Sequence, residues 1–137
     1  MNIRTENWLG YDIRFVEQSP DEWWAVSKDI SDALGYKGSR QMTRYLESEE
    51  LSTFNWKKNQ SADIASCFSD FKYKPNVPII SELGIYEAGF NSQRPEAKEF
   101  KRWVKELLRN IRKSTGLEGF QVFRMLDKNK THPIRTQ

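Results

Sequence analysis

Between residues 95 and 113 the apolar and polar positions of this chain separate more cleanly than anywhere else. Placed at about 100° per residue, Ala97, Phe100, Trp103, Val104, Leu107, Leu108 and Ile111 share one stripe, the i, i+3, i+4, i+7 spacing of an amphipathic helix. Lys98, Lys101, Arg102, Lys105, Arg109, Arg112 and Lys113 fall on an adjoining arc that no carboxylate interrupts, and Glu99, Glu106 and Asn110 take the narrow strip left over. Pro95 suits a first helical position, where its missing N–H is not needed. Glu96 in the first turn, Arg112 and Lys113 in the last, and Gly116 beyond them fit the helix dipole and a glycine C-cap. The pattern predicts a helix over 95–113, roughly 28 Å long at about 1.5 Å per residue.

Elsewhere the periodicity is shorter. Residues 3–16 place β-prone residues on both sides of a turn at Gly10, and Ile13 and Phe15 alternate with Arg14 and Val16 as in a half-buried strand. Ser19-Pro20-Asp21 is turn chemistry, after which residues 23–26 read as the returning strand of a hairpin or small meander. Ser27 is placed to N-cap a short helix closed by Gly35. A second helix is predicted from Ser39 to Leu46, with Met42, Tyr45 and Leu46 inward and Arg40 and Arg44 on one outward face. Two short helices joined through a glycine turn allow a helix-turn-helix, but a plain αα corner is the simpler account. Leu51–Trp56 and Phe68–Tyr73 are expected as strands bracketing a loop at 57–62, where Lys57 and Lys58 are as readily decoration as contact. Residues 77–80 follow as a buried strand, and then a helix from a Ser81 cap to about Phe90. A brief apolar burst at 117–126 precedes a polar end. The expected fold class is α+β: a small antiparallel sheet or hairpins, short helices and one long C-terminal amphipathic helix. Residues 1–116 read as the domain and 117–137 as an extension or linker.

Charge changes the picture of the long helix. The chain carries a net +3, but residues 94–113 hold eight Lys/Arg and three Glu, a balance of +5, so the remainder sums to −2. Positive charge focused on one helix is an electrostatic footprint suited to phosphates. A solvated face with snorkelling Lys and Arg is the competing account, and the arc alone does not choose. A length of 137 residues with eighteen aromatics is enough for one domain with a real core. One cysteine, Cys67, excludes an internal disulfide framework and fits a reducing compartment. No signal-peptide pattern or membrane-length apolar run is present, so a soluble, intracellular (cytoplasmic) setting without membrane association is expected.

Two blocks resemble a known module. EWWAVSKDISDALGY, residues 22–36, resembles the opening of the Bro-N domain, the N-terminal domain of baculovirus BRO proteins and many phage antirepressors. Residues 77–116 are similar to its closing block, through Ser81, Glu82, Gly84, Ile85, Tyr86, Ser92, Pro95, Ala97, Phe100, Trp103, Val104, Ile111 and Arg112. The family often has a proline before the Ile-Arg pair, where this chain has Leu108-Arg109-Asn110 and a less interrupted helix. Antirepressors of this type usually carry a second, C-terminal domain. The resemblance implies a compact α+β domain with nucleic-acid-binding ability, in proteins that switch viral or prophage gene expression. Trp24, Leu34, Tyr36, Phe100, Trp103 and Val104 then read as core.

Catalytic chemistry has little to stand on. His132 is the one histidine and lies near the end of the chain, Cys67 is expected to be a small buried residue, and neither phosphate-cradling glycine motif occurs. Glu47, Glu49 and Glu50 are clustered, and acidity beside a helix end explains them. No enzyme, cofactor or metal site is expected. The leading expectation is a DNA-binding regulatory module using Lys98, Lys101, Arg102, Lys105, Arg109, Arg112 and Lys113, with Lys37, Arg40, Arg44 and Arg94 as secondary contacts. The alternative is direct capture of a phage repressor or host regulator through aromatics of 51–73 and the 117–126 burst. That burst could also drive homo-oligomerisation.

Overall fold

The computed structural model describes residues 2–58 and 61–126, with side chains as far as residue 114. The backbone falls into two compact units, Met1–Arg102 and Trp103–Gln137. In the first, five antiparallel strands form one sheet: β1 (Ile3–Trp8), β2 (Tyr11–Ser19), β3 (Glu22–Val26), β4 (Leu51–Asn55) and β5 (Asn76–Ile80), in the order β1-β2-β3-β5-β4. Two tight turns make the N-terminal meander. Leu9 and Gly10, both at positive φ (49° and 91°), close the β1–β2 hairpin around the Trp8–Tyr11 pair. Paired positive φ angles match the right-handed twist of the flanking strands. At the second turn Asp21 also has positive φ, and its N–H donates to Glu17 at 2.9 Å.

Register assigns the two sheet faces. Val16, Val26, Phe54, Val77 and Ile79 share one, and with Phe68 they form a buried cluster flanked by Trp24, Trp56 and Phe71. Trp8, Ile13, Phe15, Ala25 and Ile80 share the other, all buried. Because both faces of β2 are covered, its core is continuous rather than alternating, and the half-buried expectation gives way. Trp23, not Trp24, is the fully buried indole of β3.

Among the described residues the sheet is accompanied by helices α1 (Ser27–Ala33), α2 (Ser39–Thr43), α3 (Ala62–Cys67), α4 (Glu82–Phe90) and α5 (Ala97–Leu126). Ser27 is the first helical residue of α1 rather than its cap, and its buried hydroxyl hydrogen-bonds that of Ser39. Gly35, at φ 78°, ends α1 in the left-handed conformation that glycine supplies without penalty. Helix α2 stops at Thr43, leaving Met42 buried and Tyr45 exposed, so Tyr45 is not an inward residue. Ser81 caps α4 by accepting the Gly84 N–H at 3.1 Å. Residues 68–73 are not a strand. Ser61 caps α3 within the supposed loop, and a 3-10 turn at Ser69–Phe71 follows. Cys67 is partly rather than fully buried. The long helix starts two residues after Pro95 and continues through Gly116 to Leu126, so that glycine does not end it. The side chains of the 117–126 burst, and residues 127–137 with His132, lie outside what is described.

Candidate nucleic-acid interface

The sequence of α5 sets which of its side chains meet solvent. Ala97, Phe100, Val104 and Leu108 are buried, and Trp103, Leu107 and Ile111 are partly covered, as the apolar stripe requires. Trp8 meets the Phe100 ring edge-on at 4.9 Å, which anchors the first turn of the helix to the sheet. In the first unit Lys98 and Arg102 are exposed and Lys101 is half-buried; in the second Lys105, Arg109 and Lys113 are exposed and Arg112 is partly covered. Among the described residues, Lys98, Arg102, Lys105, Arg109 and Lys113 have no ion-pair partner. Such cations can be neutralised by a ligand without first breaking a bond within the protein.

The secondary residues behave differently from one another. Lys37, Arg40 and Arg44 are exposed around the α1–α2 turn. Helix α2 has only five residues, about 7.5 Å at the usual rise, which supports the αα corner over a groove-reading helix. Arg94 already has partners. Its Nη1 donates to the Tyr11 hydroxyl at 3.2 Å, its Nε donates to Glu96 at 3.1 Å, and its guanidinium lies 5.2 Å over the Tyr11 ring. The hydrogen bond to Tyr11 raises its pKa, with Glu96 adding to the effect. Arg94 therefore joins the start of α5 to the first hairpin, beside Gly35 of the α1–α2 turn.

One cation of structural importance escaped sequence reading. Arg14 projects from β2 onto Asp29 of α1 and Asp70 of the 3-10 turn, at 2.9 and 2.8 Å, and also donates to the Cys67 carbonyl at 3.0 Å. Its guanidinium lies 5.2 and 5.4 Å from the Phe68 and Phe71 ring centres. Burial works against the charge, but the hydrogen bonds to the two carboxylates outweigh it and raise the Arg14 pKa. The hydrogen bond from Arg14 holds the Asp70 carboxyl below the usual range against partial burial. No local signal marks this site, because its partners lie 15 and 56 residues away in sequence.

The aromatics offered for protein capture are mostly interior. Phe54 and Phe68 are buried, Trp56 and Phe71 pack on their cluster, and Tyr73 is exposed. Glu50 is buried and accepts the Glu47 N–H at 3.0 Å, closing a 3-10 turn, so this acidity is structural. Among the described residues there is no group of three or more His, Cys, Asp or Glu that could hold a metal ion. No described helix is long and apolar enough to cross a membrane.

Residues 12–110 match the family described as BRO family, N-terminal domain. The chain belongs to the Bro-N family. Bro-N domains occur in phage antirepressors and baculovirus BRO proteins and form a regulatory, DNA-binding class of domain, not one known for enzymatic activity. An uncharacterized protein of Haemophilus influenzae is 28% identical over 115 residues, 83% of this chain and 52% of that protein. The Oceanobacillus iheyensis protein named tRNA-specific 2-thiouridylase MnmA is 32% identical over 84 residues, 56% of this chain and 23% of that protein. The chain thus spans about half of the first relative and less than a quarter of the second. No solved structure matches.

Proposed function

We propose that this Bro-N chain is an antirepressor-like regulatory module of a phage or prophage that binds DNA through the cationic face of α5. Lys98, Lys101, Arg102, Lys105, Arg109, Arg112 and Lys113 take the phosphates, and Lys37, Arg40 and Arg44 supply secondary contacts. Arg94 serves by fixing the start of the helix. The observation that carries the reading is the division of α5 itself: Phe100, Val104 and Leu108 are buried while Lys98, Arg102, Lys105 and Arg109 are exposed. Contacts of this kind hold a duplex in register without reading its bases, so sequence choice rests on other groups.

Fluorescence anisotropy of a labelled random duplex, titrated at several salt concentrations, tests it. The expected result is binding that weakens steeply with salt, by about 0.9 in the log–log slope per phosphate neutralised. Absence of binding by folded protein even at low salt overturns the reading and favours direct capture of a regulator.

A further inference from the structure

Lys101 differs from its neighbours on the arc because α4 constrains it. Its stem crosses α4 at Gly89: a Cβ built there would lie 2.6 Å from Lys101 Cγ and 2.7 Å from Cδ, well inside van der Waals contact. Its ammonium then comes to 5.5 Å from the ring centre of Phe90, a side chain left 77% exposed. An exposed phenylalanine contributes little to a core, but its π face attracts a cation. Of the three N–H donors of a lysine, those turned away from the ring remain for a second acceptor.

We infer that Gly89 and Phe90 are positioning residues of the phosphate-binding face, holding Lys101 extended across α4 before DNA arrives. This rests on the DNA-binding reading above and deepens it. A lysine on an open helix face loses rotamer freedom when it fixes a phosphate, and a lysine already held across Gly89 and Phe90 has less to lose. Gly89 is buried within α4, and its backbone is outside the left-handed region. Alanine therefore fits its backbone and is the better helix former. The added methyl would meet Lys101 at Cγ and Cδ, so that side chain must leave the crossing by changing its χ1 rotamer.

The experiment is a double-mutant cycle of wild type, Gly89→Ala, Lys101→Ala and the double variant, each titrated with a labelled random duplex at low salt. NMR of the Lys101 ε-methylene protons runs in parallel, since a ring face shifts them upfield. Gly89→Ala is expected to lose the upfield shift, keep its thermal midpoint and bind about two- to tenfold more weakly, the scale of one long side chain's ordering. In the Lys101→Ala background the same change is expected to cost nothing further. Phe90→Leu keeps apolar bulk without the π face, and is expected to lose the shift and part of the affinity. An equal loss from Gly89→Ala in both backgrounds, or no loss in wild type, overturns the positioning role while leaving the DNA reading intact. Failure of wild type to bind duplex overturns both.

Discussion

Arg14 and Arg109 carry the same guanidinium and are put to opposite uses. Arg14 is enclosed by two carboxylates, a carbonyl and two rings, and joins β2 to α1 and to the turn after α3. Arg109 stands exposed on α5 with no ion-pair partner among the described residues. A buried cation surrounded by acceptors strengthens one arrangement of the chain and has little left for a ligand. An exposed one adds little to stability and keeps its charge for solution partners. Counting basic residues along the sequence mixes the two kinds, and Arg94, bound to Tyr11 and Glu96, is counted with the wrong group unless its surroundings are known.

The comparison breaks most visibly at Asp29, whose side chain is 7% exposed. Asp29→Asn leaves Arg14 short of its more deeply buried counter-charge, and urea unfolding is expected to show a loss of about 3 kcal/mol, the scale for breaking a buried pair. The salt dependence of DNA binding by the protein that remains folded is expected to be unchanged. A changed salt slope would place Arg14 among the DNA contacts and end the contrast.

Charge reversal on α5 is the mirror experiment. The triple change Lys101→Glu, Lys105→Glu, Arg109→Glu is expected to lower the log–log salt slope by about 2.7, three contacts at about 0.9 each. Its thermal midpoint is expected to stay within a few degrees of wild type, because surface charges contribute little. A collapse in stability with the same slope would make the arc structural.

Asp70 sharpens the comparison with a smaller effect. Its pKa is lowered in the folded state, so its contribution is complete above the ordinary carboxylate range and is lost as pH falls through the depressed value. Its side chain is 43% exposed, and solvent screening holds the expected gain to about 0.5–1 kcal/mol. The stability gap between wild type and Asp70→Asn should be constant near neutral pH and shrink below about pH 4. A gap that did not shrink at all as the pH fell below that range would mean that packing, not charge, links Asp70 to Arg14.

The long helix was legible because its apolar stripe and cationic arc repeat over several turns, and the N-terminal meander because Gly10 and Pro20-Asp21 mark its turns. The segment 61–73 misled because Phe68, Phe71 and Tyr73 suit a strand as well as a turn, and so short an apolar run does not separate the two periods. The adjacent indoles at 23 and 24 could not be ranked when both sheet faces are covered. For the candidate site, the helix pattern located the cations, but the restraint on Lys101 depends on a glycine in another helix. No spacing within α5 encodes that.

The order β1-β2-β3-β5-β4 joins a three-stranded meander to the β4–β5 pair along a short seam, where Ala25 meets Ile80 and Val26 meets Ile79. The meander forms between near neighbours in the chain, the β4–β5 pair joins residues 21 to 29 apart, and the seam closes a loop of roughly fifty residues. Folding speed is therefore expected to depend on when β3 finds β5 rather than on how well either hairpin forms. If so, Val26→Ala slows refolding in a chevron measurement, and a substitution in the β1–β2 turn acts mainly on unfolding. The exposed edge of β5 would be the surface at risk during that interval, when a second molecule's β3 could pair with it in place of the chain's own.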